Sequence, residues 1–155
     1  KQKGSATYDQ EKMTAFYEGG KFDSSFVIAV QDRTHNFFSM IYDLRKQPLQ
    51  VGQTYHFNLD VETEPWKAEV QVVAKEKIEA AGRAREAYKI AFKFIPIKEE
   101  VPRRHTDIVT RRIATSHSRL VFWIGAESPH PFLKIEFVLS PFNAYTILTG
   151  ESKAP

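Results

Sequence analysis

The sequence contains no cysteine, which excludes disulfide bonds, thiolate metal ligands and thiol nucleophiles. No apolar run approaches the roughly 18–20 residues that a membrane-spanning helix needs. Walker loops, dinucleotide-binding fingerprints and the Gly-x-Ser-x-Gly elbow of many hydrolases are also missing. We therefore predict a domain that is not an enzyme, uses no cofactor and has no transmembrane segment.

The charged and imidazole side chains do not form a recognisable metal-binding or catalytic pattern. Neither His-x-His nor His-x-x-x-His occurs, and these are the spacings of common metal ligands. Asp60, Glu62 and Glu64 alternate along one side of a predicted strand, which is typical of a solvated face. We predict no metal site and no catalytic residue. The five histidines are His35, His56, His105, His117 and His130.

Length and composition indicate one globular domain that is rich in strands. The 155 residues are enough for a single core, and 42% hydrophobic with 26% charged residues is an ordinary globular balance. Aromatic residues reach 13%, and aromatic side chains favour strands. We predict a single β-rich domain over residues 1–155.

Apolar and polar residues alternate along several stretches, as in strands with one buried face. The clearest examples are residues 54–61, 66–72, 88–94 and 133–139, and Gly82 predicts a hairpin turn between two strands. Short turns throughout imply antiparallel pairing, because parallel strands need longer crossovers.

The start of the chain and the region before residue 124 complete the set of predicted strands. Residues 6–17 and 22–30 read as two strands joined by a turn at Gly19-Gly20. Residues 108–115 and 118–124 read as a further hairpin after a charged, proline-containing loop. The total is about nine strands.

One stretch changes to helical period. Phe37, Ile41 and Leu44 recur at i, i+4 and i+7, which predicts an amphipathic helix over 32–45 whose first residue, an aspartate, is the N-cap. Pro48 ends this helix. We predict a mainly β fold: an antiparallel, strongly curved sheet or partly open barrel, with one short helix packed against its apolar face.

The excess positive charge is confined to the last third of the chain. Residues 1–100 carry equal numbers of basic and acidic side chains, whereas residues 101–155 carry seven basic and four acidic ones. The arginines of this segment form either a patch for an anionic ligand or a strand edge protected by charge. A net charge of +3 is too small to imply nucleic acid. These arginines are Arg103, Arg104, Arg111, Arg112 and Arg119.

Two motifs resemble one family. Residues 32–52 read DRTHNFFSMIYDLRKQPLQVG, and residues 120–137 read LVFWIGAESPHPFLKIEF. They resemble the domain of unknown function 3108 family, in which Asp leads into a short helix ending in Tyr-x-x-Arg, then Pro-Leu and Gly, with a later Leu-x-x-Trp segment, a Pro turn and a Lys-Ile strand. The matching positions are Asp32, Ser39, Tyr42, Leu44, Arg45, Pro48, Leu49, Gly52, Leu120, Trp123, Pro131, Lys134 and Ile135.

The resemblance implies an exported protein of Gram-negative bacteria, periplasmic or associated with the outer membrane. It implies a curved or half-open barrel reminiscent of lipoprotein carriers, and no enzyme activity. The chain is then expected to be the larger, C-terminal part of a longer exported protein. Tyr42 and Arg45 would sit near the mouth of the sheet. Trp123 lies in an apolar run and reads either as core or as a platform for a ligand.

These observations support two functional hypotheses. The first is a non-catalytic envelope domain that binds a lipid or other apolar or amphiphilic ligand, or acts as a scaffold, with Tyr42, Arg45, Trp123 and Lys134 near its site. The alternative is an interaction module that docks an acidic envelope partner through the arginine-rich strand and loop.

Overall fold

A computed structural model describes residues 4–19, 25–61, 64–97, 119–138 and 143–149. Ten strands and one helix form within these ranges, which confirms a mainly β fold with one short helix. No closed barrel occurs there, and none of the helical structure in these ranges is long and apolar enough to cross a membrane. The elements are β1 (Gly4–Asp9), β2 (Thr14–Gly19), β3 (Phe26–Ala29), β4 (Thr34–His35), α1 (Phe37–Leu44), β5 (Thr54–Val61), β6 (Glu64–Ala80), β7 (Arg83–Pro96), β8 (Arg119–Gly125), β9 (Phe132–Val138) and β10 (Asn143–Ile147).

Seven strands form the larger sheet, in the order β10-β9-β8-β7-β6-β5-β4. Six consecutive strands pair antiparallel, as the short turns predict. The prediction of antiparallel pairing throughout is wrong at one end, where β4 runs parallel to β5. The helix α1 lies between these two strands in the chain, and such a crossover is what parallel neighbours require.

The first three strands form a separate small sheet, in the order β1-β2-β3. The prediction of one continuous strand over 6–17 is wrong, because the chain turns at Gln10–Met13. Asp9 accepts the backbone N–H groups of Glu11 and Lys12 at 3.1 and 3.0 Å, and this side-chain turn reverses the chain. The predicted turn at Gly19-Gly20 runs into residues outside the described ranges.

The longest hairpin joins β6 to β7, as Gly82 predicts. Ala81 and Gly82 both have positive φ, +52° and +71°, which is the backbone of the two-residue turns that suit hairpins. The Ala81 N–H also donates to the carbonyl of Leu148 at 2.7 Å. The tip of this hairpin therefore lies beside the end of β10, although β10 is three strands away from β7 in the sheet.

The helix begins later than its periodicity predicts. Asn36, not Asp32, is the N-cap, and its side chain accepts the Ser39 N–H at 2.9 Å. Residues 34–35 are taken into β4, so the helix cannot start before them.

Helix α1 covers one face of the large sheet and makes the main core. Met40, Ile41 and Leu44 are buried there, against alternate residues of the strands such as Ile90 and Phe122. Burial of each such side chain stabilises the fold by about 1.5–3 kcal/mol. A second, smaller cluster forms apart from this core, and it contains Ala80, Ala87, Trp123 and Leu133.

A buried polar contact joins the two sheets. The Tyr8 hydroxyl of β1 donates to the Asp60 carboxylate of β5 at 3.0 Å, and Asp60 is buried. Burial of the hydroxyl, followed by the nearby Asp60 charge, raises the pKa of Tyr8 above its usual value. Because the folded state then holds this proton at pH values where the unfolded chain loses it, stability falls as the pH rises above about 10.

Removing the Tyr8 hydroxyl tests this link. We expect Tyr8→Phe to lower the free energy of unfolding by about 1.5–3 kcal/mol, the value of a hydrogen bond to a charged group. Urea unfolding followed by circular dichroism measures the change. Tyr145→Phe is the matched control, since Tyr145 is 65% exposed. Equal stability of the two variants would show that the contact does not hold the sheets together.

Candidate functional site

In the described part of the chain, the candidate site lies at the edge of β5. The strand β4 pairs with only two of the eight residues of β5, through Thr34↔Asn58 and His35↔Leu59. Within the described ranges no strand lies beside the first half of β5, Thr54–Phe57, on the side away from β6. This half of β5 is an open sheet edge.

A cleft of about 560 Å³ runs along this edge. Four consecutive residues of β5 line it, from Tyr55 to Asn58. The lining also includes Lys67 and Glu69, the register partners of Asn58 and His56 on β6, so the cleft extends from the edge of β5 over one face of the sheet. The remaining lining residues are Asp32, Arg33, His35, Asp43, Gln47, Lys67 and Glu69.

The backbone of β5 directs hydrogen-bonding groups into the cleft. The Val72 N–H donates to the Gln53 carbonyl at 3.0 Å, next to the register pair Thr54↔Gln71. Antiparallel pairs alternate between those that exchange hydrogen bonds and those that do not. Thr54 and His56 therefore turn their N–H and C=O groups away from β6, towards the open edge.

One wall of the cleft is a polar group on helix α1 and β4. The Nε2 atom of His35 lies 3.7 Å from a carboxylate oxygen of Asp43, whose other oxygen accepts from Lys46 Nζ at 2.8 Å. Burial lowers the pKa of His35, against the opposing effect of Asp43. The hydrogen bond from Lys46 lowers the pKa of Asp43. At neutral pH this wall therefore presents an uncharged imidazole and a carboxylate already paired with a lysine.

Two further cations line the cleft without an ion-pair partner in the part of the chain that the structure describes. Glu69 is paired with Lys93 at 3.1 Å, across β6 and β7. Lys67 and Arg33 have no carboxylate partner among the described residues. The Asn58 side chain donates to the backbone carbonyl of Asp32 at 2.9 Å and holds the loop before β4 against the strand. Within the described ranges, the cleft thus offers backbone groups without a strand partner beside Lys67, Arg33 and Asp32, whose charges have no ion-pair partner there.

Arg45 lies at the C-terminal end of α1 and binds the β8–β9 turn. Its Nε donates to the carbonyl of His130 and its Nη2 to the carbonyl of Pro129, both at 2.7 Å. Its guanidinium carbon lies 5.0 Å from the centre of the Phe132 ring. The contacts of Arg45 therefore tie the helix to the sheet.

Tyr42 lies on the outer side of the same helix. It is 60% exposed, and the Lys46 ammonium stands 4.4 Å from its ring centre. Phe38, one turn earlier, is 74% exposed. The helix thus carries two exposed aromatic residues on its solvent side, of which Tyr42 lies within one turn of Arg45.

Trp123 and Lys134 meet elsewhere, in the smaller cluster. They are register partners on β8 and β9, and the Lys134 ammonium lies 4.3 Å from the indole. Lys89 lies 5.2 Å from the same indole, and the indole N–H donates to Glu76 at 2.6 Å. Trp123 is only 4% exposed. The four residues expected near one ligand therefore fall into two groups, Tyr42 with Arg45 and Trp123 with Lys134.

The arginine-rich segment can be placed only at its end. Arg119 is the exposed first residue of β8, opposite Val138. The other members, Arg103, Arg104, Arg111 and Arg112, lie outside the described ranges, as does the predicted hairpin strand 108–115. The patch stays a prediction.

The sequence did not predict that the cleft residues form a site, and the reason is physical. His56 and Asn58 read correctly as the polar positions of a strand, but periodicity does not tell an edge strand from a central one. His35 and Asp43 meet only because β4 and α1 fold back beside β5. The polar run Asp32-Arg33-Thr34-His35 before the helix was the available signal.

Comparisons with protein-family models, curated proteins and solved structures found no match to the chain. The candidate site therefore rests on its own residues and geometry.

Replacing Arg45 distinguishes a structural from a ligand-binding role. We expect Arg45→Met to lower the free energy of unfolding by about 1.5–3 kcal/mol, because two hydrogen bonds from a charged group are lost. Arg119→Met, at an exposed position, should change it little. Thermal and urea unfolding measure both. An unchanged stability of Arg45→Met would return Arg45 to the ligand-binding candidates.

The half-buried imidazole of His35 makes the stability of the fold sensitive to acid. Because burial lowers the pKa of His35, the unfolded chain binds more protons than the folded one just below about pH 6.5, and stability falls as the pH drops through the folded value. We expect His35→Gln to reduce the loss of unfolding free energy between about pH 7 and pH 5. An identical pH slope in the variant and the unmodified protein would contradict this.

Proposed function

We propose that the chain is a non-catalytic binding domain that holds an extended segment of a partner polypeptide along β5. One observation carries the proposal: among the described residues no strand pairs with the first half of β5 on the side away from β6, and a cleft lies along this stretch. An added strand would gain backbone hydrogen bonds from Thr54 and His56, and its alternate side chains would meet the cleft walls.

Among the described residues, the cleft charges without an ion-pair partner are Lys67, Arg33 and Asp32, and the resulting excess of one positive charge favours an acidic segment. Asp43 and Glu69 are already paired with lysines, whereas Lys67 and Arg33 have no carboxylate partner among the described residues. A carboxylate of the incoming strand would meet these cations. The hypothesis for the arginine-rich segment also names an acidic partner. Arg119 is the member of that segment within the described residues.

We place this activity in the cell envelope. The support is the resemblance of residues 32–52 and 120–137 to an exported family, and the location is periplasmic or at the outer membrane. A strongly curved sheet is part of the same proposal, supported by the hydrogen bond from Ala81 to Leu148.

A second candidate function is the binding of an amphiphile on the outer side of α1. Phe38 and Tyr42 form an exposed aromatic pair, and the Lys46 ammonium beside Tyr42 suits an anionic head group. Trp123 and Lys134 take no part in this surface, because they lie in the separate cluster.

Peptide binding tests the proposal. The probe is a fluorescent peptide in which valine and glutamate alternate, with a lysine version for comparison, measured by fluorescence anisotropy. We expect the protein to bind the glutamate peptide more tightly than the lysine peptide. Lys67→Glu should lower the affinity for the glutamate peptide roughly tenfold, because an attractive, partly screened charge pair becomes a repulsive one. His56→Pro should abolish binding by removing an edge donor. Circular dichroism verifies that each variant is folded.

Two controls separate the possible outcomes. Lys77→Glu makes the same charge change on β6, beyond the irregular pairing at Val72/Ala74, and should bind like the unmodified protein. Phe38→Ser combined with Tyr42→Ser should leave peptide binding intact. If this double variant instead loses binding to anionic phospholipid vesicles, and the peptides do not bind at all, the amphiphile is the ligand.

A further inference from the structure

The opposite end of the large sheet has a second free edge, on β10. This strand pairs only with β9 in the described part of the chain. Residues 144–147 are all exposed, although neighbours in a strand point to opposite faces. Tyr145 is 65% and Ile147 39% exposed. The strand is therefore exposed on both faces, apart from the Lys134 ammonium 5.3 Å from the Tyr145 ring centre, and no described residue pairs along its outer edge.

The register shows which backbone groups of β10 point outwards. The Leu148 N–H donates to the Leu133 carbonyl at 2.8 Å, which continues the pairing Ile147↔Lys134. By the alternation of antiparallel pairs, Tyr145 and Ile147 turn their N–H and C=O groups away from β9. The tip of the β6–β7 hairpin donates a hydrogen bond to Leu148, one residue beyond the strand.

The sequence of β10 lacks the charged residues and prolines that usually prevent an edge strand from pairing with another chain. Natural edge strands carry lysine, other charges, proline or bulges. Residues 143–149 read NAYTILT, with no charged residue and no proline. Aromatic and β-branched side chains dominate instead, and these favour strand pairing.

We infer that β10 pairs with β10 of a second copy of this chain, antiparallel and about a two-fold axis. An isologous contact brings the same surface to itself, so it demands a strand without net charge, and β10 meets this condition. A charged partner strand would find no countercharge on β10 itself. The sheet then continues through both copies.

The size of the contact sets its strength. Five residues of strand bury less surface than stable dimers do, so the association is weak and depends on concentration. The contact is independent of the proposed peptide site, because β5 and β10 lie towards opposite ends of the sheet. Each dimer would keep two clefts and could engage a partner at two points.

Sedimentation velocity over a wide concentration range tests the inference on the whole chain. We expect the mass to rise from one 17.9 kDa chain towards two. Tyr145→Lys and Tyr145→Glu should each remain monomeric, since the substituted charges repel across the axis, and an equimolar mixture of the two should dimerise again. Val27→Lys is the control, because Val27 is 61% exposed on the small sheet and should not change the mass.

Rescue by the oppositely charged variant cannot arise from misfolding, so it supports the contact directly. A chain that stays monomeric at every concentration would overturn the inference and leave the edge to a different partner. A dimer that survives both Tyr145 variants would overturn it as well, since the contact would then lie elsewhere. Peptide binding by β5 should be the same in all of these variants.

Discussion

The rest of the structure depends on the burial of one face of the large sheet under helix α1. Met40, Ile41 and Leu44 supply the helix side of this contact, and the alternate residues of β5 to β9 supply the other. Burial of this apolar surface is the dominant stabilising term of such a fold. Arg45 fixes the end of the helix to the β8–β9 turn by two hydrogen bonds. The helix position in turn places the wall of the cleft.

The helix covers one face of the large sheet, and both proposed binding surfaces lie at the edges of that sheet. At one end, β4 pairs with two residues of β5 and then leads into the helix, so no strand of the described residues pairs with the first half of β5 on that side. At the other end, β10 has a neighbour on one side only among the described residues. Unpaired backbone groups at an edge bind another strand readily, and proteins normally cover them. The two edges differ in charge, which assigns them different partners.

Periodicity predicted the elements well, because it reports which positions are buried. The strands over 54–61 and 88–94, the hairpin at Gly82 and the helix through Leu44 match the structure. The prediction that Asp60 lies on the solvated face is wrong, because Asp60 is buried and accepts the Tyr8 hydroxyl. Periodicity failed where local hydrogen bonds determine the structure. The Asp9 turn divides residues 6–17 into two strands, and Asn36 instead of Asp32 caps the helix. Neither the Asp9 turn nor the Asn36 cap changes the spacing of apolar residues, so periodicity does not detect them.

The candidate site was less predictable, since the pairing of strands creates it. The same alternation that placed Trp123 in a strand did not show that its indole would be covered by Lys89 and Lys134. The cleft needs residues from β4, α1, β5 and β6, which meet only in the folded chain.

Amide hydrogen exchange along β5, measured by nuclear magnetic resonance with and without the glutamate-containing peptide, tests the central claim most directly. The account predicts fast exchange at Thr54 and His56 and slow exchange at Tyr55 and Phe57 in the free protein. The peptide should then slow the first two. Equal protection of all four amides in the free protein, or no change at Thr54 and His56 when the peptide is added, would contradict an open, strand-binding edge.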